Sequence, residues 1–107
     1  MLDSKLMTEL TYYLPDKISS TKLADFFALL SDGNRLRLLS ALAMSRLCVG
    51  DLATLLEMNQ TAISHQLKLL RSMGVVRFSR AGKAVFYELA DTKINEVLLM
   101  GVEYIGF

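Results

Sequence analysis

The chain has 107 residues, 52% of them hydrophobic, and a formal net charge of +1 at pH 7. This length predicts a single domain over residues 1–107. No run approaches the roughly 18 apolar residues that span a bilayer, and there is no charged-then-apolar leader. We therefore expect a soluble, cytoplasmic protein. The single cysteine excludes an internal disulfide framework. The chain also has only one histidine, and so few catalytic groups argue against an enzyme.

The basic residues are concentrated in the middle of the chain. Positions 33–83 hold eight basic residues and two acidic ones, whereas the rest of the chain holds four basic and nine acidic ones. The middle therefore carries +6 and the two ends together −5. A basic centre with acidic ends predicts a face for nucleic acid and terminal segments turned away from it.

Two amphipathic helices are predicted before the basic segment. Leu6, Leu10 and Leu14 recur every fourth residue, which predicts a helix over residues 3–14 that stops near Pro15. Residues 16–20 are expected to form a polar link, and Ser20 or Thr21 is expected to cap a second helix. The apolar residues of that helix are Leu23, Phe26, Phe27 and Leu30.

The next two helices follow a break of turn-forming residues at 31–34. The residues expected to face inward from the third helix are Leu36, Leu39, Leu42 and Ala43. A short fourth helix is predicted over residues 47–57, and its apolar residues are Val49, Leu52, Ala53 and Leu56. Met58 and Asn59 then connect it tightly to the next helix, so the pair is predicted to be a helix-turn-helix.

Residues 59–71 are predicted to form the DNA-recognition helix. Ile63, Leu67 and Leu70 fall on one stripe, while Asn59 can cap the start and Gly74 suits the left-handed end. The other sides carry side chains of the kinds that read base edges and phosphates. The candidate base-reading residues are Gln60, Thr61, Ser64 and His65, and the candidate phosphate contacts are Lys68 and Arg71. His65 contacts either a base or a phosphate. A surface helix with a solvated polar face has the same pattern.

After Gly74 the apolar period changes from 3.6 to 2. Residues 75–79 and 84–89 predict two strands joined by residues 80–83, a hairpin with a glycine in its loop. Its position directly after the recognition helix favours a wing that places Arg80 and Lys83 on DNA. The alternative is an exposed hairpin whose charges serve solubility.

A last helix is predicted from Asp91 or Thr92 to about Ile105. Its apolar stripe consists of Ile94, Val97, Leu98, Gly101 and Ile105. Because helices 3–14 and 91–105 both carry apolar stripes outside the helix-turn-helix, we predict a homodimer that forms through them. The alternative is a last helix that packs on its own domain. The predicted fold is mainly α with a small β-hairpin, a winged helix-turn-helix.

Five segments carry a family resemblance: LSDGNRLRLL (30–39), LCVGDLA (47–53), QTAISHQL (60–67), LRSMGVV (70–76) and RAGKAVFY (80–87). In order and spacing they resemble the ArsR/SmtB family of bacterial winged helix-turn-helix repressors, which usually has Pro-Thr where this chain has Gly33-Asn34. Several ordered segments over roughly 60 residues are far more specific than one motif. The resemblance implies a homodimer that represses a double-stranded DNA operator until an inducer lowers its affinity.

The resemblance ends at the sensing sites. Family members with Cys-Val-Cys before the turn bind soft metals, whereas this chain reads Cys48-Val49-Gly50. Other members bind metal from an Asp-x-His start on the last helix, but here Asp91 is followed by Lys93 in the histidine position. The first site lacks its second sulfur, and at the second site a lysine ammonium opposes a cation. We therefore expect no metal at either site and no cofactor. Cys48 is interpreted as a small core residue.

The residue patterns predict a DNA-binding protein, and the family resemblance implies that it is a sequence-specific transcriptional repressor. Its inducer is unidentified and is not expected at the usual metal sites. One alternative is a metal- or redox-responsive repressor that uses Cys48. A nearby helix start favours the reactive thiolate form of this cysteine, and the negative charge of Asp51 disfavours it. The other is a winged-helix protein-interaction module without DNA binding.

Overall fold

The computed structural model describes residues 1–106, in two compact units that divide after Ser31. The first unit contains helices α1 (Ser4–Tyr13) and α2 (Lys17–Leu29). The second contains α3 (Gly33–Met44), α4 (Val49–Leu56), α5 (Gln60–Ser72), strands β1 (Val76–Ala81) and β2 (Ala84–Leu89), and α6 (Thr92–Ile105). The predicted class, mainly α with one β-hairpin, is confirmed. Each helix within residues 1–106 is too short or too polar to cross a bilayer.

Aspartate caps determine where both helices of the first unit begin. The Leu6 amide donates to Oδ1 of Asp3, and the Ser19 amide donates to Oδ1 of Asp16. Both hydrogen bonds have a donor–acceptor distance of 2.7 Å. The hydrogen bond from the Ser19 amide holds the pKa of Asp16 below its ordinary value. The cap expected at Ser20 or Thr21 is wrong, because Asp16 already satisfies the first turn and α2 begins directly after it.

The core of the second unit lies between α3, α4, α5 and the hairpin. Its largest fully buried side chains are Leu38, Leu39, Leu52, Ile63, Leu67 and Leu70. In α3 the buried face also includes Ala41 and Leu42, whereas Leu36 and Ala43 are only half-buried, unlike the expectation. The buried face of α3 is broader than one stripe because α4, α6 and β2 all pack against this helix.

The start of α3 also differs from the expectation. Asp32 caps it by accepting the Arg35 amide at 3.0 Å, so Gly33 and Asn34 form its first turn rather than part of a break.

Helix α4 is shorter than residues 47–57. Leu47 lies outside it because Leu47 pairs with Tyr87 of β2 through two backbone hydrogen bonds of 3.0 and 2.8 Å. Glu57 ends the helix in the left-handed conformation, with φ of 56°. The turn into α5 therefore includes Glu57 as well as Met58 and Asn59.

The hairpin is antiparallel, with a register that runs from Val76 opposite Leu89 to Ala81 opposite Ala84. Only Gly82 and Lys83 connect the strands, so the loop is shorter than the expected residues 80–83. Gly82 has φ of +63°, which a two-residue turn between twisted strands requires.

Helix α6 begins after Asp91, whose Oδ1 accepts the Lys93 amide at 2.8 Å, and ends at Ile105 as expected. Its apolar stripe is not uniformly covered. Ile94 is buried and Leu98 half-buried, whereas Val97, Gly101 and Ile105 are exposed in the single chain.

Candidate nucleic-acid interface

The recognition helix α5 has one buried face and one polar, exposed face. Ile63, Leu67 and Leu70 are each 0% exposed, which holds the helix in one rotational setting on the core. The polar candidates on the remaining surface are Gln60, Thr61, Ser64, His65, Lys68 and Arg71, and all six are exposed. Their hydroxyl, amide, imidazole and cationic groups are therefore accessible to a duplex.

Both ends of α5 have the caps expected from the sequence. Oδ1 of Asn59 accepts the Ala62 amide at 2.8 Å. After the C-cap residue Met73, Gly74 takes φ of +74°, and the Val75 amide donates back to the Leu70 carbonyl at 2.9 Å. This last bond turns the chain directly from the recognition helix into the hairpin.

The cap of α5 is chemically unlike most others in the chain. Helices α1, α2, α3 and α6 all begin with an aspartate that accepts an amide hydrogen. Asn59 gives α5 the same hydrogen bond without a negative charge. The positive end of the α5 dipole is therefore not neutralised by its own cap.

Helix α4 packs beside α5 and completes the helix-turn-helix. Leu52, Ala53 and Leu56 are buried, and the Met58 amide bonds the Ala53 carbonyl at 3.0 Å across the turn. The Gln60 side-chain nitrogen lies 3.9 Å from where a Cβ on Gly50 would be. Gln60 thus sits against the start of α4.

The hairpin carries two exposed basic residues toward its tip. Arg80 lies near the end of β1 and Lys83 in the turn, and both are exposed. A third basic residue, Arg77, pairs with Glu88 across the strands at 2.9 Å. The Glu88 carboxylate already balances the charge of Arg77. Within residues 1–106, Arg80 and Lys83 are therefore the wing cations without a salt bridge.

Two contacts between arginines and aromatic rings of the hairpin strands were not expected from the sequence. The Arg71 guanidinium lies over the Phe78 ring, 4.2 Å from its centroid. On the other face of the hairpin, Arg46 lies 4.7 Å from the Phe86 centroid. The signal in the sequence is the group of β-strand aromatics at 78, 86 and 87, but nothing in it identifies which cations reach them.

Cys48 and the last helix bear on metal binding. Cys48 is half-buried at the cap position of α4, where its side chain makes no capping hydrogen bond. Asp91 uses Oδ1 for the Lys93 amide, and the Lys93 side chain is exposed beside it. Within residues 1–106, no three His, Cys, Asp or Glu side chains are grouped closely enough to hold a metal.

A helix-turn-helix followed at once by a β-hairpin defines a winged helix-turn-helix protein. A family model described as bacterial regulatory protein, arsR family, matches residues 32–77. The chain is 31% identical over 106 residues to the cadmium resistance transcriptional regulatory protein CadC homolog of Staphylococcus aureus, covering 89% of this chain and 88% of that one. This chain belongs to the arsR family of bacterial regulatory proteins, as its resemblance to ArsR/SmtB proteins predicts.

Another relative is more similar over a shorter stretch. The transcriptional repressor SmtB homolog of Synechocystis is 48% identical over 73 residues. The match covers 68% of this chain but only 55% of that relative.

Solved structures show the same fold. The antimony-specific transcriptional repressor AntR superposes with a TM-score of 0.78 at 34% identity, covering 86% of this chain and 84% of that one. The homodimeric winged helix-turn-helix DNA-binding domain of Mb0332 from Mycobacterium bovis superposes with a TM-score of 0.72 at 28% identity, covering 86% of each chain. The predicted winged helix-turn-helix is confirmed.

Proposed function

We propose that this protein is a homodimeric transcriptional repressor that binds an operator in duplex DNA, with α5 in the major groove and the hairpin as a wing on the backbone. The observation that carries this proposal is the division of α5 into a fully buried apolar face and an exposed polar one. The function is one of binding, with no catalytic step.

The exposed residues divide into two roles. Gln60, Thr61, Ser64 and His65 lie in the first half of α5, the part of a recognition helix that reaches base edges. The cations Lys68, Arg80 and Lys83 are assigned to phosphates, where they set register without reading sequence. The uncharged Asn59 cap leaves the start of α5 favourable to a phosphate.

A second copy of the chain is the proposed partner of the exposed apolar residues of α1 and of those of α6. In α1 the exposed apolar residues include Leu6, Leu10 and Tyr13, and in α6 they include Met100 and Tyr104. Gly101 of α6 has no atom within 4 Å of where a Cβ would be, so a partner helix can approach closely. Two-fold symmetry then predicts a palindromic operator with half-sites about 34 Å, or a multiple of that distance, apart.

Neither metal site of the family fits the residues present, so the proposed inducer does not bind there. Gly50 supplies no second thiolate beside Cys48. In α6 the Asp91 carboxylate holds the helix start and Lys93 brings a cation to the position of a ligand. The inducer must bind better to the dimer that releases DNA, since equal affinity for both states shifts nothing.

The test is duplex affinity against salt concentration, measured on the DNA upstream of the protein's own coding sequence and on a random duplex. We expect the protein to bind the upstream duplex more tightly than the random one. For both duplexes, the logarithm of the association constant should fall linearly with the logarithm of the salt concentration. Lys83→Ala should flatten the slope by about 0.9 on both duplexes, because one phosphate contact is lost. Lys93→Ala, which removes the same charge from α6, is the control and should leave the slope unchanged.

Three outcomes would contradict parts of the proposal. A salt-independent or absent duplex affinity would favour a protein-interaction module. An unchanged slope in Lys83→Ala would take the wing off the DNA. Release of the duplex by a metal or an oxidant in the wild type but not in Cys48→Ser would make Cys48 the sensor.

A further inference from the structure

We propose that Arg71 and Phe78 are positioning residues that fix the angle of the wing, and that Arg71 binds the wing rather than a DNA phosphate. This inference rests on the proposed duplex binding. It reassigns Arg71, which its place on α5 alone would make a phosphate contact.

Arg71 and Phe78 are in contact although they belong to different elements. Arg71 lies in the last turn of α5 and Phe78 is the third residue of β1. The guanidinium carbon is 4.2 Å from the ring centroid, well inside the roughly 6 Å limit for a cation–π interaction. At this distance the guanidinium covers the face of the ring, a position that aromatic rings favour for arginine.

The Phe78 ring is in turn held by the rest of the hairpin. Phe78 and Tyr87 are opposite each other in the register, with ring centroids 6.1 Å apart. The backbone of Tyr87 pairs with Leu47, just before α4. One series of contacts therefore joins the recognition helix, both strands and the segment that leads into the other helix of the helix-turn-helix.

A small rotation of the hairpin moves its tip farther than a phosphate contact tolerates. The Gly82–Lys83 turn lies about four residue steps beyond Phe78 along the hairpin, which at about 3.3 Å per residue places the tip some 13 Å from the contact. A rotation of about 15° about that contact would then move the tip by about 3 Å, more than the tolerance of a hydrogen bond to phosphate. A two-stranded hairpin does not hold such an angle by itself, so contacts at its base must do so.

The two faces of the hairpin carry different basic residues. Phe78 and Arg80 are two residues apart on β1, so they point to the same face of the hairpin, the face that Arg71 covers. Arg77 points to the opposite face, where it pairs with Glu88. The hairpin thus offers a matched basic residue that the proposed contact does not involve.

The experiment compares salt slopes on one duplex for the full-length wild type, Phe78→Leu, Phe78→Tyr and Arg71→Met. Loss of the ring should release the wing and flatten the slope by up to about 1.8, the share of Arg80 and Lys83 together. Phe78→Tyr keeps the aromatic face and should keep the wild-type slope. Arg71→Met keeps the aliphatic stem without the charge, and it should match Phe78→Leu.

The double variant separates positioning from direct contact. If Arg71 acts through Phe78, Arg71→Met should change nothing further in a Phe78→Leu protein. A further flattening of about 0.9 would show that Arg71 binds a phosphate itself and would overturn the proposal. An unchanged slope in Arg71→Met would overturn it as well, and this variant tests the contact even if Phe78→Leu fails to fold, because Arg71 is exposed.

Arg77→Met is the control for charge, and its slope should equal that of the wild type. If it flattens the slope as much as Arg71→Met does, the slope reports only the net charge of the region and the assignment is wrong. A wild-type protein without salt-dependent duplex affinity is a different result, because it overturns the proposed function itself.

Discussion

Helices α5 and α1 show how the same sequence pattern leads to opposite surroundings. Both have apolar residues spaced to form one stripe. In α5 that stripe is closed off from water, with Leu67 at 0% exposure, whereas Leu10 in the α1 stripe is 44% exposed. Helical periodicity therefore predicts which residues share a face, but it does not predict whether the same chain covers that face.

The exposed sides of the two helices differ in chemistry as well. The open side of α5 carries hydroxyl, amide, imidazole and cationic groups, which water or DNA can satisfy. The open side of α1 carries leucines, a methionine and tyrosines, which favour a protein partner. The comparison thus separates a surface proposed for DNA from one proposed for a second copy of the chain.

The largest effect expected from this comparison comes from the same substitution made in each stripe. Leu67→Ala should lower the free energy of unfolding by about 2–5 kcal/mol, because it leaves a cavity in a closed core. At protein concentrations where the chain is monomeric, Leu10→Ala should lower it by only about 0.5 kcal/mol, as for a surface change. Denaturant unfolding at several protein concentrations measures both.

Protein concentration also tests the assignment of the α1 surface. The cost of Leu10→Ala should grow as the protein becomes dimeric, since the dimer stabilises the fold by mass action. If Leu10→Ala were as destabilising as Leu67→Ala at every concentration, the α1 stripe would belong to a core within one chain and the contrast would be wrong.

A smaller effect is expected from the charge of the α5 cap. Aspartate and asparagine cap helices equally well, so Asn59→Asp should leave the thermal midpoint almost unchanged. The added negative charge at a phosphate-facing helix start should weaken duplex binding by about tenfold, or about 1.4 kcal/mol. Fluorescence anisotropy with a labelled duplex measures the loss.

Asp91→Asn provides the reciprocal control, because it removes a negative charge from the α6 cap while keeping the hydrogen bond. Its duplex affinity should equal that of the wild type. Equal binding by Asn59→Asp and the wild type would mean that the start of α5 does not face a phosphate.

The smallest effect concerns acid and the first unit. The Ser19 amide lowers the pKa of Asp16 below its value in an unfolded chain. The stabilising contribution of Asp16 is therefore complete above that unfolded value, near 3.8, and is lost as the pH falls through the lower folded value. Asp16→Asn should remove this part of the acid transition seen by circular dichroism. Asp25→Asn in the same helix should not, and an identical loss in both variants would exclude the cap as its cause.

Much of the winged helix-turn-helix could be predicted from the residues alone. The buried stripe of α5, its Asn59 cap and the left-handed Gly74 depend on local spacing and local backbone preferences, and all three are confirmed. The family is confirmed as well. The cap of α2 was predicted wrongly although it is local, because Asp16 and Ser20 both suit a helix start and only the fold shows which amide is bonded.

Other features depended on contacts between residues distant in the sequence. Leu47 lies outside α4 because its backbone pairs with that of Tyr87, forty residues later in the chain. The broad buried face of α3 arises because three other elements pack on it. The contact of the Arg71 guanidinium with the Phe78 ring depends on the turn of the chain at Gly74.

The amino-acid sequence by itself determined the helices, the hairpin and the polar character of α5, because hydrogen bonding within a turn and the period of apolar residues act over a few neighbours. Only the tertiary structure decided which cations have a partner among the described residues. Arg77 pairs with Glu88 and Arg71 lies over the Phe78 ring, whereas Arg80 and Lys83 have no salt bridge within residues 1–106. That distinction depends on distances across the hairpin, which the order of residues along the chain does not contain.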